Sequence, residues 1–273
     1  MIFVRDKGRM CNNMLQYGHL YAWGREHGRQ TMSMRFAYKY RYFRICHTPH
    51  HNFATYLLAK YGAKAGFFPV VSFDVDGADY SREEELLMSR RWVVAQGWYA
   101  RWYDLFLKYK AEITDLFAFD AEIESRVASA MAVAERGSED VVRLGLHLRR
   151  GDYATWHNGD FLYTDEQYAD VAKRFMALHG DRPVRVYICG NDPQMNRELF
   201  VRVLGDCVTF PDGSPGEDLC LLSHCHYLIG PPSTFTLVAA MYHDALLYWV
   251  KDMAALVAAD SFGTFDTLFR KIL

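Results

Sequence analysis

Residues Val141–Asp152, VVRLGLHLRRGD, leave this chain few architectures to choose from. Val141, Val142, Leu144, Leu146 and Leu148 read as a buried strand. Its end turns abruptly polar, with His147, Arg149, Arg150, Gly151 and Asp152 close together. Side chains alternate along a strand, so His147 and Arg149 share one face while Leu146, Leu148 and Arg150 share the other. In open α/β sheets ligands bind outside the carboxyl ends of the strands, where these groups would sit. A forked, permanently charged guanidinium there suits a phosphate or diphosphate, and the stretch points to a nucleotide-sugar site.

The remainder of the second half alternates strand and helix. Thr164-Asp165-Glu166-Gln167 has a capping-box pattern and opens a helix to about His179. Strands follow at Val184–Cys189, Cys207–Phe210, Tyr227–Gly230 and Leu246–Val250, with helices at Gln194–Leu204, Glu217–Cys225 and Ser233–His243. Such β-α-β alternation predicts a parallel, Rossmann-like sheet. The first half opens with a strand at Ile2–Arg5, a polar turn, and a helix from about Met14 to His27. Leu15, His19, Ala22 and Trp23 line that helix's buried side, and Gly28 stops it. Further strands are expected at Thr31–Phe36 and Phe67–Phe73, and helices at Phe53–Tyr61 and Ala121–Glu135. Gly137-Ser138-Glu139-Asp140 reads as the linker, placing one domain at 1–137 and a second at 138–273.

Composition removes several function classes. Hydrophobic residues make up 51% and charged residues 23% of the 273, which excludes a disordered chain. A net charge of −2 with no long basic run argues against nucleic acid as a partner. The start, MIFVRDKGRM, is too short an apolar run for a signal peptide. No run of ~18 apolar residues marks a membrane span, which leaves only peripheral membrane association open. The six cysteines form no CxxC pair and are expected as reduced thiols in a cytoplasmic protein. His47, His50 and His51 lack a second ligand cluster at matching spacing, so no metal is expected. GxxxxGK[ST], GxGxxG, GxSxG and HExxH are all absent. Arg150-Gly151-Asp152 sits directly on a buried strand, which argues against an adhesion ligand. The aromatic, basic segment around Tyr38–Tyr42 is either an acceptor-sugar surface or a loop packed on the body.

Four strand-to-helix turns of the second half carry polar groups that could converge on one crevice. The first holds His147, Arg149, Arg150 and Asp152, and the second Asn191 and Asp192. The third places Glu217 and Asp218 at a helix start. Asp218 there is either a helix-terminal acid or an acceptor for both hydrogens of a guanine N1–H/N2–H edge. The fourth, Gly230-Pro231-Pro232-Ser233-Thr234-Phe235-Thr236, offers hydroxyls and backbone donors at a helix N-terminus, a seat for a diphosphate.

His147-Leu148-Arg149-Arg150-Gly151-Asp152-Tyr153 resembles the HxRRGDY motif of the α-1,2-fucosyltransferases, inverting GDP-fucose-dependent enzymes of the GT-B type. In the same order, Gly8–Tyr17 resembles that family's G-[GR]-L-G-N-Q-M-F-Q-Y opening. Gln96–Tyr99 takes the place of its G-[YF]-[FW]-Q segment, and Asp218–Thr236 resembles its third motif. The resemblance implies an α/β, GT-B-like fold of two Rossmann-like domains facing across a cleft. The first domain would bind acceptor and the second GDP-sugar, and Ala254–Leu273 would form a helix crossing back to the first domain.

It also implies roles. Arg149 would hold the β-phosphate and stabilise the departing GDP, with Asp152 beside it in the motif. His147 and Arg150 would lie at the donor, Asp218 would read guanine, Ser233 and Thr234 would bind the diphosphate, and Asn12 would sit in the facing loop. GDP-fucose would be the donor and a glycan the acceptor, with no cofactor and no metal. The general base stays open between Asp152, His157, Asp160 and an attack with little base assistance. Cys11, Asn13, Pro231-Pro232 and Leu237–Ala240 depart from the family pattern. They keep two alternatives in view: a catalytically weakened nucleotide- or glycan-binding relative, and a transferase using a different GDP-sugar.

Overall fold

The computed structural model describes residues 1–135, 140–190 and 192–272; Gly137, Ser138, Glu139 and Asn191 lie outside the described residues. The chain divides into two compact units, Met1–Asp120 and Ala121–Leu273.

The first unit runs β1 (Ile2–Arg5), α1 (Met10–Glu26), β2 (Thr31–Ser33), α2 (Phe53–Lys64), β3 (Val70–Ser72), α3 (Ser81–Ser89), β4 (Val93–Gln96), α4 (Tyr103–Lys108) and α5 (Lys110–Leu116). Its four-stranded sheet has the order β2-β1-β4-β3, and every pairing is parallel. Ile2, Phe3 and Val4 are buried in β1 against the equally buried Val93, Val94 and Ala95, as expected for strands covered on both faces. Helix α1 begins earlier than its apolar pattern suggests and is buried on nearly every side. The reason is tertiary. Helices α4 and α5 cover a second face of α1, and a Cβ on Gly18 would stand only 2.3 Å from the Phe106 ring. Gly28, at φ +65, supplies the left-handed residue that ends α1 as expected. The second and third strands are shorter than their apolar runs.

The second unit begins with α6 (Ala121–Glu135), then β5 (Val142–Leu148), α7 (Asp165–Leu178), β6 (Val184–Gly190), α8 (Arg197–Leu204), β7 (Val208–Thr209), α9 (Pro215–Ser223), β8 (Tyr227–Gly230), α10 (Thr234–His243), β9 (Leu246–Trp249) and α11 (Phe265–Phe269). Its parallel sheet is ordered β7-β6-β5-β8-β9, the Rossmann order, with the direction of winding reversing between β5 and β8. The alternation of β5 is realised. Leu144, Leu146 and Leu148 are fully buried in a core with Tyr168 and Phe175 of α7 and Phe200 of α8. Gly145 faces the opposite layer, where a Cβ would lie 2.5 Å from Leu222 and 2.7 Å from Leu228. Its missing side chain is what lets α9 approach the sheet.

Two boundaries differ from expectation. Helix α6 belongs to the second unit rather than closing the first. Ile123, Val127 and Met131 are buried, α6 packs on α9, and Glu135 accepts hydrogen bonds from Arg143 and Tyr187. The tail from Ala254 is not one helix. It bridges back to the sheet, where Leu247 and Gly263 exchange backbone hydrogen bonds, and ends in the five-residue α11. Phe265 and Phe269 are buried and α11 packs on α10 of its own unit. None of the six cysteines forms a disulfide, and five are buried. Among the described residues no helix is long and apolar enough to cross a membrane.

Candidate functional site

The polar end of β5 lies at the switch point of the second sheet, beside the end of β8. His147 is 5% exposed, and its ring stacks on Phe235 of α10 with centroids 5.1 Å apart and planes 22° apart. Burial, and to a lesser degree the Arg149 guanidinium, pushes its pKa down to about 3, so the imidazole is neutral at physiological pH. Its Nδ1 finds no hydrogen-bond partner among the described residues. The β8 backbone passes close by: a Cβ on Gly230 would be 2.9 Å from the His147 carbonyl oxygen. Only glycine permits that approach.

The two arginines divide as strand periodicity requires. Arg149 follows His147 and donates from Nη2 to Asp152 Oδ2 at 2.9 Å, with its guanidinium carbon 5.5 Å from the centre of the Tyr153 ring. Its Nε is buried with no partner among the described residues, so within them the fork is only partly used. Asp152 is the more exposed member of the pair, at 45% against 14% for the arginine side chain. Arg150 points into the other layer. It donates to Asp165 at 2.6 Å, to Asp192 at 2.7 Å and to the Tyr163 carbonyl at 3.1 Å. Its guanidinium is thus committed to joining the N-terminus of α7 to the end of β6, whereas the sequence grouped it with the donor-binding residues. Tyr153 Oη donates to the Pro232 carbonyl and ties the turn after β5 to the turn after β8.

That second turn opens α10. Ser233 caps the helix, accepting from the Phe235 amide at 3.1 Å. Thr234 is the first helical residue. Thr236 is fully buried, donating to the Ser233 carbonyl and accepting from Trp249 Nε1 at 3.1 Å, and so serves the core. The helix terminus offers backbone donors and a positive dipole end to an anion.

Asp218 lies in the first turn of α9, but capping there is performed by Ser214 and Glu217. Asp218 Oδ1 is buried with no partner among the described residues. Burial, then the nearby Glu217 and Asp212 carboxylates, raise its pKa to about 7. Its charge is felt by Cys189, which sits opposite His147 in the β5–β6 ladder. The ends of β5, β6 and β8 therefore carry, in one layer, a partly unused cation, a neutral imidazole, a helix N-terminus and an unsatisfied carboxylate. In charge and hydrogen-bonding character such groups are suited to an anionic group joined to a ring with paired N–H donors.

His157 is set among Trp156 and Phe161 in the loop after Tyr153, with ring centres 4.3 and 5.9 Å away. Asp160 follows it in the same loop. Asn12 belongs to the first unit, in the first turn of α1 and against Gly8, where a Cβ would meet its Nδ2 at 2.8 Å. Two groups near this turn had no role in the sequence reading, Asp6 being missed and Asn13 noted only as a departure from the family pattern. Asp6, at the end of β1, is buried, accepts from Ser33 Oγ and has its pKa raised to about 7 by burial. Asn13 is fully buried with neither side-chain polar atom satisfied among the described residues. An acid two residues past the apolar run Ile2–Val4, at the strand's carboxyl end, was the available signal for Asp6. His51, from the histidine group, is structural: its Nε2 accepts from the Ser33 amide at 2.9 Å.

No family model matches the chain. It is 25% identical over 244 residues to galactoside α-(1,2)-fucosyltransferase 2 of Bos taurus, covering 85% of this chain and 66% of that protein. It is 27% identical over 250 residues to the Mus musculus protein of the same name, covering 87% of this chain and 67% of that one. The chain thus spans just under two thirds of the bovine relative. By structure it is similar to an Arabidopsis thaliana FUT1 variant in complex with GDP, with a TM-score of 0.63, 11% identity and coverage of 96% of this chain and 73% of that one. It is also similar to the α-1,6-fucosyltransferase NodZ co-crystallised with GDP, with a TM-score of 0.57, 16% identity and coverage of 90% and 94%. In sequence the chain is thus similar to galactoside α-(1,2)-fucosyltransferases, and its two parallel-sheet α/β units share the fold of solved fucosyltransferases.

Proposed function

We propose that this protein transfers fucose from GDP-fucose to a hydroxyl of a glycan acceptor. The observation that carries the reading is that Arg149 lies over the Tyr153 ring, which is tied to the turn opening α10, while Asp218 of α9 keeps a buried Oδ1 with no partner among the described residues. Relatives named as fucosyltransferases, and similar structures in complex with GDP, support it.

In this reading Asp218 accepts from guanine N1–H and the exocyclic amine. The Ser233 and Thr234 end of α10 receives the diphosphate. Arg149 stands at the β-phosphate, where negative charge grows as the bond from the sugar to the phosphate oxygen breaks. A preorganised guanidinium at that oxygen stabilises the transition state more than the ground state. Asp152 holds the guanidinium in place through one nitrogen, leaving the others for phosphate. His147, neutral and stacked, adds bulk and a hydrogen-bonding nitrogen without a second charge. Attack from the opposite face of the sugar inverts the anomeric centre, with Asp152, His157 and Asp160 the carboxylate and imidazole groups of the adjoining turn. The positive charge of Arg149 takes the part a divalent ion plays in other transferases, so transfer proceeds without metal.

The first unit takes the acceptor side. It has an open pocket of about 690 Å³ lined by Tyr38, Arg41, His47, His51 and Phe53, with the Tyr38 ring tilted at 46° against Tyr56, centroids 4.6 Å apart. Exposed aromatic faces with flanking cations suit sugar rings.

The test is a thermal-shift titration in EDTA of wild type and Arg149→Ala with GDP, GDP-fucose, GDP-mannose and UDP-glucose. Stabilisation by the guanosine ligands alone, lost in the variant, supports the donor site; fucose release to added glycans then identifies transfer. Absence of any shift overturns the reading, and guanosine binding without transfer to any acceptor leaves a binding relative in its place.

A further inference from the structure

On the far side of α9 from Asp218, three side chains from two helices converge. Cys220 and His224 stand four residues apart on or at the end of α9, one above the other on a single helical face. Glu124 comes from α6, packed alongside. Cys220 Sγ, a His224 ring nitrogen and a Glu124 oxygen all lie within 4.8 Å of one another, and His224 Nε2 is 2.9 Å from Glu124 Oε2. Ligands at zinc distances of about 2.0–2.3 Å around a tetrahedron stand roughly 3.3–3.8 Å apart, so small side-chain movements complete the geometry.

The surroundings favour a cation. Cys220 is buried, whereas the imidazole and carboxylate are 31% and 40% exposed, giving an ion access from solvent. Burial and the neighbouring Glu124 and Glu217 carboxylates raise the thiol above its ordinary value. A divalent ion removes the cause of the carboxylates' effect by placing positive charge between the groups. The His224 ring is held from behind by His243, stacked at 4.7 Å and 25°, whose Nδ1 is engaged with the Ser223 carbonyl at 2.9 Å. Such outer support is what orients a ligating imidazole.

We propose that Glu124, Cys220 and His224 form a zinc site that staples α6 to α9, with water at the fourth position. The mixed thiolate, imidazole and carboxylate set suits borderline Zn²⁺ rather than Mg²⁺ or Ca²⁺. On binding, the Cys220 proton leaves to solvent, the His224–Glu124 hydrogen bond breaks with the Nε2 proton passing through solvent to Nδ1, and Sγ, Nε2 and the Glu124 oxygen replace three waters on the metal; no redox change occurs. The site is structural, it stands apart from the donor residues, and it does not rest on the fucosyltransferase reading.

The experiment is calorimetric titration of the EDTA-stripped, full-length protein with Zn²⁺, repeated with Co²⁺ while following thiolate-to-cobalt absorption. One equivalent of Zn²⁺ is expected, with proton release that varies with buffer ionisation heat. Cys220→Ser, close in size to the thiol, should abolish the cobalt–thiolate band. His224→Gln, which can still donate to Glu124 and so keeps the helix contact, should weaken Zn²⁺ at least tenfold. Wild-type melting temperature should rise by several degrees at saturating Zn²⁺ and not rise in Cys220→Ser. Absence of a cobalt–thiolate band in wild type overturns the proposal. So does tight binding retained in both variants, which assigns the metal to other histidines and leaves the triad as a hydrogen-bonded helix contact. A GDP-induced shift in EDTA is independent of every one of these outcomes, so the two readings fail separately.

Discussion

Replacing Asp218 by asparagine should make the free protein more stable and its nucleotide binding weaker. The native carboxyl is held at about 7 by burial and by Glu217 and Asp212, against 3.8 for the free group. The folded state therefore holds this proton more tightly than the unfolded chain. That contribution to stability is complete below pH 3.8 and is lost as pH rises through about 7. At 1.36 kcal/mol per pH unit the charged carboxylate costs up to about 4 kcal/mol at pH 8, and Asp218→Asn should recover a large part of that. Asp6 loses stability over the same window, so only the difference between variant and wild type isolates Asp218.

Binding runs the other way, because only the carboxylate accepts both guanine donors. Wild-type affinity for GDP-fucose should weaken about elevenfold at pH 6 and about a hundredfold at pH 5 relative to its alkaline limit. GDP-fucose is the ligand to use, since its esterified diphosphate does not titrate in this window. In Asp218→Asn the affinity should be low and flat with pH, the amide presenting a donor where an acceptor is needed. Urea unfolding at pH 4 and pH 8, with calorimetry from pH 5 to 8, measures both. A variant less stable than wild type at pH 8, or one binding GDP-fucose as tightly as wild type, refutes the assignment of Asp218.

Three further perturbations read other parts of the unit. Arg149→Lys keeps the charge but loses the fork, and should lower kcat by about 10²–10³ with little change in melting temperature; steady-state kinetics decide it. Arg150→Met strands Asp165 and Asp192, whose side chains are only 12% and 19% exposed. It should cost about 3–5 kcal/mol at pH 7 by urea denaturation, with a smaller deficit at low pH. Gly145→Ala forces a methyl against Leu222 and Leu228 and should destabilise by about 1–3 kcal/mol, measured by chemical unfolding. A neutral result at Gly145 would mean that α9 can shift away from the sheet.

The second unit was largely legible. The period-two pattern of β5 separated His147 and Arg149 from Leu144, Leu146 and Leu148, and the structure keeps that separation. The Ser233 turn was readable as a helix start because capping chemistry is local. The first unit was less so. Helix α1 was read from one apolar stripe, but its other faces are covered by α4 and α5, which follow it by many residues. Helix α6 was assigned to the wrong side of the boundary because an amphipathic pattern shows that a helix is half-buried without saying which body buries it. The tail was expected as a helix from the family resemblance, yet Gly263 pairs its backbone with Leu247 instead.

The sequence by itself determined which residues face which side of each strand, where helices begin at Thr164 and Ser233, and where glycine must end α1. These follow from backbone sterics and from hydrogen bonds spanning three or four residues. Tertiary structure alone decided the pairing of Arg150 with Asp192, of Tyr153 with Pro232, and of His224 with Glu124, and the raised carboxyl of Asp218. Those partners are 42, 79 and 100 residues apart along the chain. Which distant groups meet, and how little water stays with them, is set by packing between elements, and no local pattern encodes it.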